Sequence, residues 1–266
     1  MTRRDGVVLI TGASAGLGAQ FARAYAARGR DLALVARRVD RLEALAGELS
    51  AAHGVRARVI GADLAEFGVE TRVLAALAGE PVDILVNNAG YSIPQSFAAV
   101  PWSAQRDFLM TLVVSAAGLA HGVVPGMVAR GGGGIINVAS LAGLGPGMAG
   151  HTLYPAVKAW AIKFSQSLAE EYRENGLRVT ALCPGFVRTE IGQVNGTQGA
   201  MDAMPRFLFQ DPAPVIDAAI RANEKGRVVV VPGWHNKLSA GLFRLLPEHA
   251  VMAMVRAGSA RFHLGG

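Results

Sequence analysis

Thr11-Gly12-Ala13-Ser14-Ala15-Gly16-Leu17-Gly18 lies between the apolar run Val7-Val8-Leu9-Ile10 and a segment from Leu17 to Arg28. In that segment Leu17, Phe21, Ala24 and Tyr25 recur at helical spacing before Gly29. The run is short and β-branched, and the segment is one-sided, so the order predicts strand, glycine turn, helix. Peptide N–H groups and the positive end of a helix converge at such a turn, and a backbone free of side chains can approach a pyrophosphate there. The eight residues therefore read as a dinucleotide phosphate loop.

Working outward, Leu32-Ala33-Leu34-Val35-Ala36 reads as a second strand ending at Arg37-Arg38. In a dinucleotide fold this end faces the adenosine ribose, where an acid accepts from a 2′-hydroxyl and an arginine accommodates a 2′-phosphate. Asp31 comes before the strand and Asp40 beyond the arginines, so neither acid is well placed. Arg37 and Arg38 thus favour NADP (NADPH) over NAD, against the plainer reading that both merely end the strand in solvent.

The alternation continues with helices near 40–53 and 67–78 and strands near 56–60 and 82–86. A long helix from about Ser103 to Arg130 carries few charges and is expected to be packed on both sides. The Gly131 to Gly134 tract is expected to be a flexible connection into the strand Ile135 to Ala139. A helix then runs from Tyr154 to a cap at Asn175-Gly176, followed by strands at Val179 to Cys183 and Val228 to Val231. Such alternation predicts an α/β fold, a doubly wound parallel sheet of Rossmann type. The expected organisation is one domain over 1–232, with a C-terminal helical extension over 233–266.

The 266 residues are 51% apolar and 17% charged, which excludes a disordered chain. The net charge of +6 comes mostly from scattered arginines without a basic run interleaved with aromatics, so no nucleic-acid partner is expected. The six histidines lack ligand spacing and the single cysteine, Cys183, ends an apolar run, so no metal and no internal disulfide are expected. No signal-like start and no long uninterrupted apolar stretch appear, which predicts an intracellular, cytoplasmic protein without a spanning helix.

Gly12, Gly16 and Gly18 stand in the pattern T-G-x-x-x-G-x-G. Asn87-Asn88-Ala89-Gly90 follows the fourth strand, Ser140 ends the next, Tyr154 and Lys158 open the helix after it, and Pro184-Gly185-Phe186-Val187-Arg188-Thr189 follows Cys183. In this order the set resembles the short-chain dehydrogenase/reductase family over about residues 5 to 232. The resemblance implies a catalytic set of Ser140, Tyr154 and Lys158, with Tyr154 as general acid, Ser140 on the carbonyl oxygen and Lys158 lowering the phenol's pKa. It implies cofactor contacts from Gly12, Ser14, Gly16, Leu17 and Gly18; from Asp63 and Leu64; from Asn88, Ala89 and Gly90; from Tyr154 and Lys158; and from Pro184, Gly185, Val187 and Thr189. The family's fourth catalytic residue, an Asn, would fall at Leu112 or Val113, so a rerouted proton relay is expected, with Thr111 and Ser115 as candidates to hold water.

The loop from Glu190 to Pro212 carries Met201, Met204, Phe207, Leu208 and Phe209, which either cover a hydrophobic carbonyl substrate or pack on the protein itself. Leu238, Leu242, Leu245 and Leu246, then Val251, Met252 and Val255, suggest amphipathic tail helices that pack on the domain or a twin subunit, with peripheral membrane contact the alternative. The leading expectation is an NADP-dependent oxidoreductase acting on a 3-oxoacyl, steroid-like or aromatic ketone, as a homodimer or homotetramer. The alternatives are a catalytically weak NADP-binding regulator and a membrane-associated lipid reductase.

Overall fold

β1 (Val7–Thr11) is buried along its whole length because every one of its neighbours covers it. It lies between β2 (Leu32–Ala36) and β4 (Val82–Asn87), parallel to both. The computed structural model describes residues 6–189, 199 and 204–259, with side chains as far as 256. The remaining strands are β3 (Ala57–Gly61), β5 (Gly133–Val138), β6 (Leu177–Leu182), the short pair β7 (Phe186–Val187) and β8 (Phe209–Gln210), and β9 (Val229–Val230). The seven-stranded sheet has the order β3-β2-β1-β4-β5-β6-β9 and is parallel throughout.

Side chains alternate across a strand, so β1 serves two cores. Val8 and Ile10 pack with α1 (Gly16–Ala26), α2 (Val39–His53) and, later in the chain, Pro212–Glu224, here α7. Val7 and Leu9 pack with α3 (Val69–Ala75) and α5 (Ser115–Ala129), whose layer is extended by α6 (Leu153–Glu171). The chain winds outward from β1 to β3 and then crosses back to β4, which places the topological switch point between the carboxyl ends of β1 and β4. The opposite ends are pinned by charge. Buried Asp83 accepts from the Gly6 N–H at 3.3 Å and pairs with Arg30 at 2.7 Å. Asp31 pairs with Arg56 at 2.8 Å, and this holds it away from the ligand end of the sheet.

The long apolar helix departs from expectation in two ways. Trp102–Ala129 is, among the described residues, the one helix long and apolar enough to cross a membrane, with a mean hydropathy of 1.7. In this fold it buries Leu119, Val123 and Met127 in the core and is not packed on both sides, since Val114, His121 and Pro125 are exposed. It is also not one regular helix. Between α4 (Trp102–Leu109) and α5 the backbone widens into a π turn, Met110–Val114, with the Ser115 N–H reaching back to the Met110 carbonyl.

Gly133 and Gly134 belong to β5 and are no flexible connection. A Cβ on Gly133 would lie 2.5 Å from Met127 Cγ, and one on Gly134 2.5 Å from Asn223 Oδ1, so glycine is what lets α5 and α7 approach the strand. Two expected helices are shorter than their patterns. α3 covers Val69–Ala75, and α6 stops at Glu171 before a 3₁₀ turn, Arg173–Asn175, with Gly176 left-handed at φ +74°. The tail forms α8 (Trp234–Leu245) and α9 (Glu248–Ser259).

Candidate active site

Every predicted motif emerges at a carboxyl end of a strand, and the switch point gathers them. The phosphate loop between β1 and α1 is tight: Gly12 is left-handed at φ +65°, and a Cβ on Gly18 would lie 2.3 Å from the Gly12 carbonyl oxygen. Thr11 anchors the loop to β4. Its hydroxyl accepts the N–H groups of Asn88 at 3.0 Å and Ala89 at 3.1 Å, while Asn88 Nδ2 donates to the Thr11 carbonyl at 2.8 Å. Thr11 is a residue that reading the sequence for cofactor contacts passes over, although a strand-end threonine beside a glycine turn is its visible signal. Across the crevice, Thr189 stands opposite Gly16, whose Cβ would lie 3.5 Å from that of Thr189.

At the end of β2, Arg38 donates from Nε and Nη2 to Ser14 Oγ at 3.2 and 3.1 Å, which joins two predicted cofactor residues. Arg37 is exposed and stands 3.9 Å from Asp63, which accepts the Ala65 N–H at 3.0 Å. Leu64 is buried behind it. The ribose corner thus presents a guanidinium and a hydroxyl, with Asp31 engaged elsewhere.

Ser140 follows β5 in an extended conformation and accepts the Ala142 N–H at 3.2 Å. The Tyr154 phenol, in the first turn of α6, stands near enough to the Ser140 hydroxyl for that hydroxyl to draw its pKa down. Pro155 fits that turn, which has no use for its N–H. One turn further, Lys158 is 7% exposed and donates from Nζ to the Val138 carbonyl at 2.8 Å. Its ammonium lies 5.6 Å from the Tyr154 ring centroid.

The expected acidification of Tyr154 by Lys158 is not what this geometry gives. Burial pushes the phenol up, opposed only by the Ser140 hydrogen bond. Burial likewise pulls Lys158 down to about 8. The two groups share a desolvated site, and neither is among the causes of the other's shift. Cys183 is buried and pushed up to about 12 by burial, so it is an inert core thiol.

The Pro184 loop closes the far side: the Pro184 carbonyl accepts the Leu141 N–H at 2.8 Å, and Val187 is buried. Gly185 is braced by the tail, since a Cβ there would lie 2.2 Å from Asn236 Oδ1. Asn236, in the first turn of α8, donates to Gln210 Oε1 at 2.7 Å and to the Pro232 carbonyl at 2.8 Å. The sequence gives little sign of this brace, because an Asn near a helix start usually reads as a cap.

Leu112 lies in the π turn and buries its side chain with Phe108 and Val157. Tyr91, Ile93, Leu153 and the Tyr154 ring pack against that cluster, which makes the wall beside the phenol apolar. Of the expected lid, residues 190–198 and 200–203, Met201 among them, lie outside the described residues. Phe209 packs on Phe186 at 5.6 Å between ring centroids, while Phe207 is exposed. No metal-ligand cluster occurs among the described residues.

Residues 6–199 match the short chain dehydrogenase family, and the chain belongs to it. It is 35% identical over 217 residues to the very-long-chain 3-oxoacyl-CoA reductase of Anas platyrhynchos, covering 80% of this chain and 67% of that protein. The chain spans 61% of the length of the bovine and human reductases of that name. It is 38% identical to an uncharacterized oxidoreductase of Myxococcus xanthus, covering 78% of this chain and 85% of that one. Among solved structures, a short-chain dehydrogenase from Sphingobium yanoikuyae in complex with NADPH superposes with a TM-score of 0.80 at 31% identity, covering 91% of this chain and 96% of that one. The family and the Ser140-Tyr154-Lys158 constellation define an oxidoreductase.

Proposed function

We propose that the chain is an NADPH-dependent reductase of hydrophobic carbonyl compounds, a 3-oxoacyl, steroid-like or aromatic ketone. The observation that carries the reading is the Ser140–Tyr154 pair beside Lys158 at the switch point, against the apolar wall of Phe108, Leu112 and Ile93. The crevice suits a dinucleotide, because Gly18 leaves no room for a side chain between it and the Gly12 carbonyl. Arg38 and Ser14 would hold a 2′-phosphate, and the Sphingobium relative carries NADPH. When bound, the nicotinamide supplies the hydride. Tyr154, kept protonated by burial, is in the right state at neutral pH to give its proton to the carbonyl oxygen, and Ser140 donates a hydrogen bond to the same atom. Lys158, at the foot of the crevice beside Gly90, would face the nicotinamide ribose.

Titration with NADPH and NADH, then turnover of a panel of hydrophobic ketones followed at the nicotinamide absorbance, tests this. NADPH-selective binding with turnover is expected; binding without turnover of any ketone would instead favour the cofactor-binding regulator.

A membrane-associated lipid reductase is the second reading, favoured by the exposed stripe of Trp234, Leu238 and Leu245 on α8. Lys237 and Arg244 lie beside it at helical spacing, an arrangement suited to an anionic bilayer surface. Removing the tail after Trp234 would also remove the Asn236 brace on Gly185, so the test is Leu238→Asp with Leu245→Asp. Co-sedimentation with anionic vesicles lost in the variant, with NADPH affinity kept, supports the reading; co-sedimentation absent in the wild type removes it. The exposed face of Val114 in the π turn with His121 and Pro125 on α5 suits a second copy of the chain as a homodimer or homotetramer, which light scattering would test.

A further inference from the structure

α4 buries Gln105 on the face where Phe108 and then Leu112, in the π turn, follow it at helical spacing. The two that follow are apolar, and a core-facing helix calls for an apolar residue at the first position too. Gln105 is only 4% exposed, and a buried primary amide is costly unless its hydrogen-bonding groups are met. Nε2 donates to the Phe97 carbonyl at 3.2 Å. That carbonyl can only accept, so the nitrogen must face it and the orientation of the amide is fixed. Oε1 accepts from none of the described residues. Tethering the Phe97 turn needs one amide hydrogen and leaves this oxygen without a task.

The amide stands in the wall of a small cavity. Gln105, Phe97, Phe108 and Tyr154 line it, and its volume is about 10 Å³. That is room for a single hydroxyl-sized group, since one water requires roughly 10–15 Å³. Gln95 and Thr152 also border it, and neither side chain makes a hydrogen bond to a described residue. The apolar part of the wall is braced from behind, where the Phe108 ring meets Tyr91 edge to face at 5.3 Å between centroids. A mostly apolar pocket fixes its ligand through a few placed polar groups, and this niche sets such groups beside the phenol.

We propose that Gln105 is a specificity-determining residue, and that its niche takes a hydroxyl group carried by the ketone substrate. The hydroxyl donates to Gln105 Oε1 while the amide nitrogen keeps the Phe97 tether. The inference rests on the reductase reading and narrows it to hydroxylated hydrophobic ketones. A ketone without the hydroxyl meets the same apolar wall but leaves a buried acceptor unpaired, and a site built for a substrate hydroxyl discriminates on that ground.

The test compares kcat/KM, with NADPH, for pairs of aryl and steroid ketones identical except for one hydroxyl, whose position is varied across the set. At one position wild type should favour the hydroxylated ketone by about tenfold or more. The methyl ether of that hydroxyl, which cannot donate and overfills the niche, should lose the advantage. Gln105→Met, similar in length and without an amide, should bring the ratio to about one while turnover of the ketones lacking the hydroxyl persists. Loss of the Phe97 tether affects both members of a pair alike, so the ratio reads recognition and not loop order. Where the variant fails to fold, a crystal structure of wild type with the preferred ketone decides, with the hydroxyl oxygen expected within about 3.2 Å of Gln105 Oε1. Wild-type ratios near one at every position, a ratio unmoved in Gln105→Met, or a hydroxyl bound away from Gln105 would overturn the proposal. Turnover of no ketone at all shows separately, as failure of the reductase reading, and this inference falls with it.

Discussion

Lys158→Met removes the ammonium while keeping the length of the side chain, and its effect on stability should reverse with pH. Burial holds Lys158 at about 8 against an ordinary 10.5. Below pH 8 the group is charged in both states and the folded protein bears the whole cost of burying the charge. Between 8 and 10.5 the unfolded chain binds one more proton than the folded one. Wild-type stability therefore rises with pH by about 1.4 kcal/mol per unit relative to the variant, and the cost is gone above 10.5. The full span is worth about 3 kcal/mol. The variant also leaves the Val138 carbonyl without its donor, a pH-independent loss of about 1–3 kcal/mol. At pH 7 the two effects nearly cancel, and Lys158→Met should be as stable as wild type or slightly more so. At pH 10 it should be less stable, the difference having moved by about 2.5 kcal/mol. Urea unfolding of both cofactor-free proteins at each unit from pH 6 to 10 measures this. A difference that stays flat over that range would mean that Lys158 titrates near its ordinary value, and the account of its burial would be refuted.

Tyr154→Phe should keep NADPH affinity within about twofold and lower turnover by 10²-fold or more, the scale of a lost general acid; near-normal turnover would remove Tyr154 from that role. Arg38→Ala should weaken NADPH binding by about 10–100-fold, the worth of a charge-assisted contact, and leave NADH nearly unchanged, as read by nicotinamide fluorescence. Equal losses for both cofactors would place Arg38 elsewhere than on a 2′-phosphate. Gly18→Ala should cost roughly 1–3 kcal/mol of stability, because its Cβ would lie 2.3 Å from a backbone oxygen that cannot give way without moving α1. A variant that unfolds in urea with the wild-type midpoint would contradict that contact.

The strand ends and the motifs attached to them were legible because the chemistry there depends on local spacing. A glycine turn between a β-branched run and an amphipathic segment has few other uses, and a doubly wound sheet carries all such turns to one edge. Features decided by distant neighbours were hidden. Gly133 and Gly134 read as a loop by composition, yet they are strand residues because Met127 and Asn223 press on them. The π turn at Met110–Val114 leaves no mark in the apolar periodicity, since one wider turn shifts the pattern by less than its own scatter. Tyr154 and Lys158 were correctly placed on one helix face, but their ionisation follows from the depth of the site.

That depth also bears on the direction of reaction. In the cofactor-free protein a phenol pushed up and an amine pulled down are both moved toward their neutral forms, so Tyr154 is held as the protonated phenol. Oxidation of an alcohol needs the reverse, a phenolate stabilised by a full cation nearby. A group that kept Lys158 charged would move the site toward that state. The hydrogen-bond acceptor of the ammonium is the neutral Val138 carbonyl, and no carboxylate enters the shift of Lys158. A site that folds without an ion pair beside Tyr154 keeps the phenol protonated at neutral pH, the form that the proposed carbonyl reduction would use. A kcat for reduction that stays level from about pH 6 to 9, the phenol remaining protonated throughout, is the expected profile, and a fall between about pH 7 and 8 would refute it.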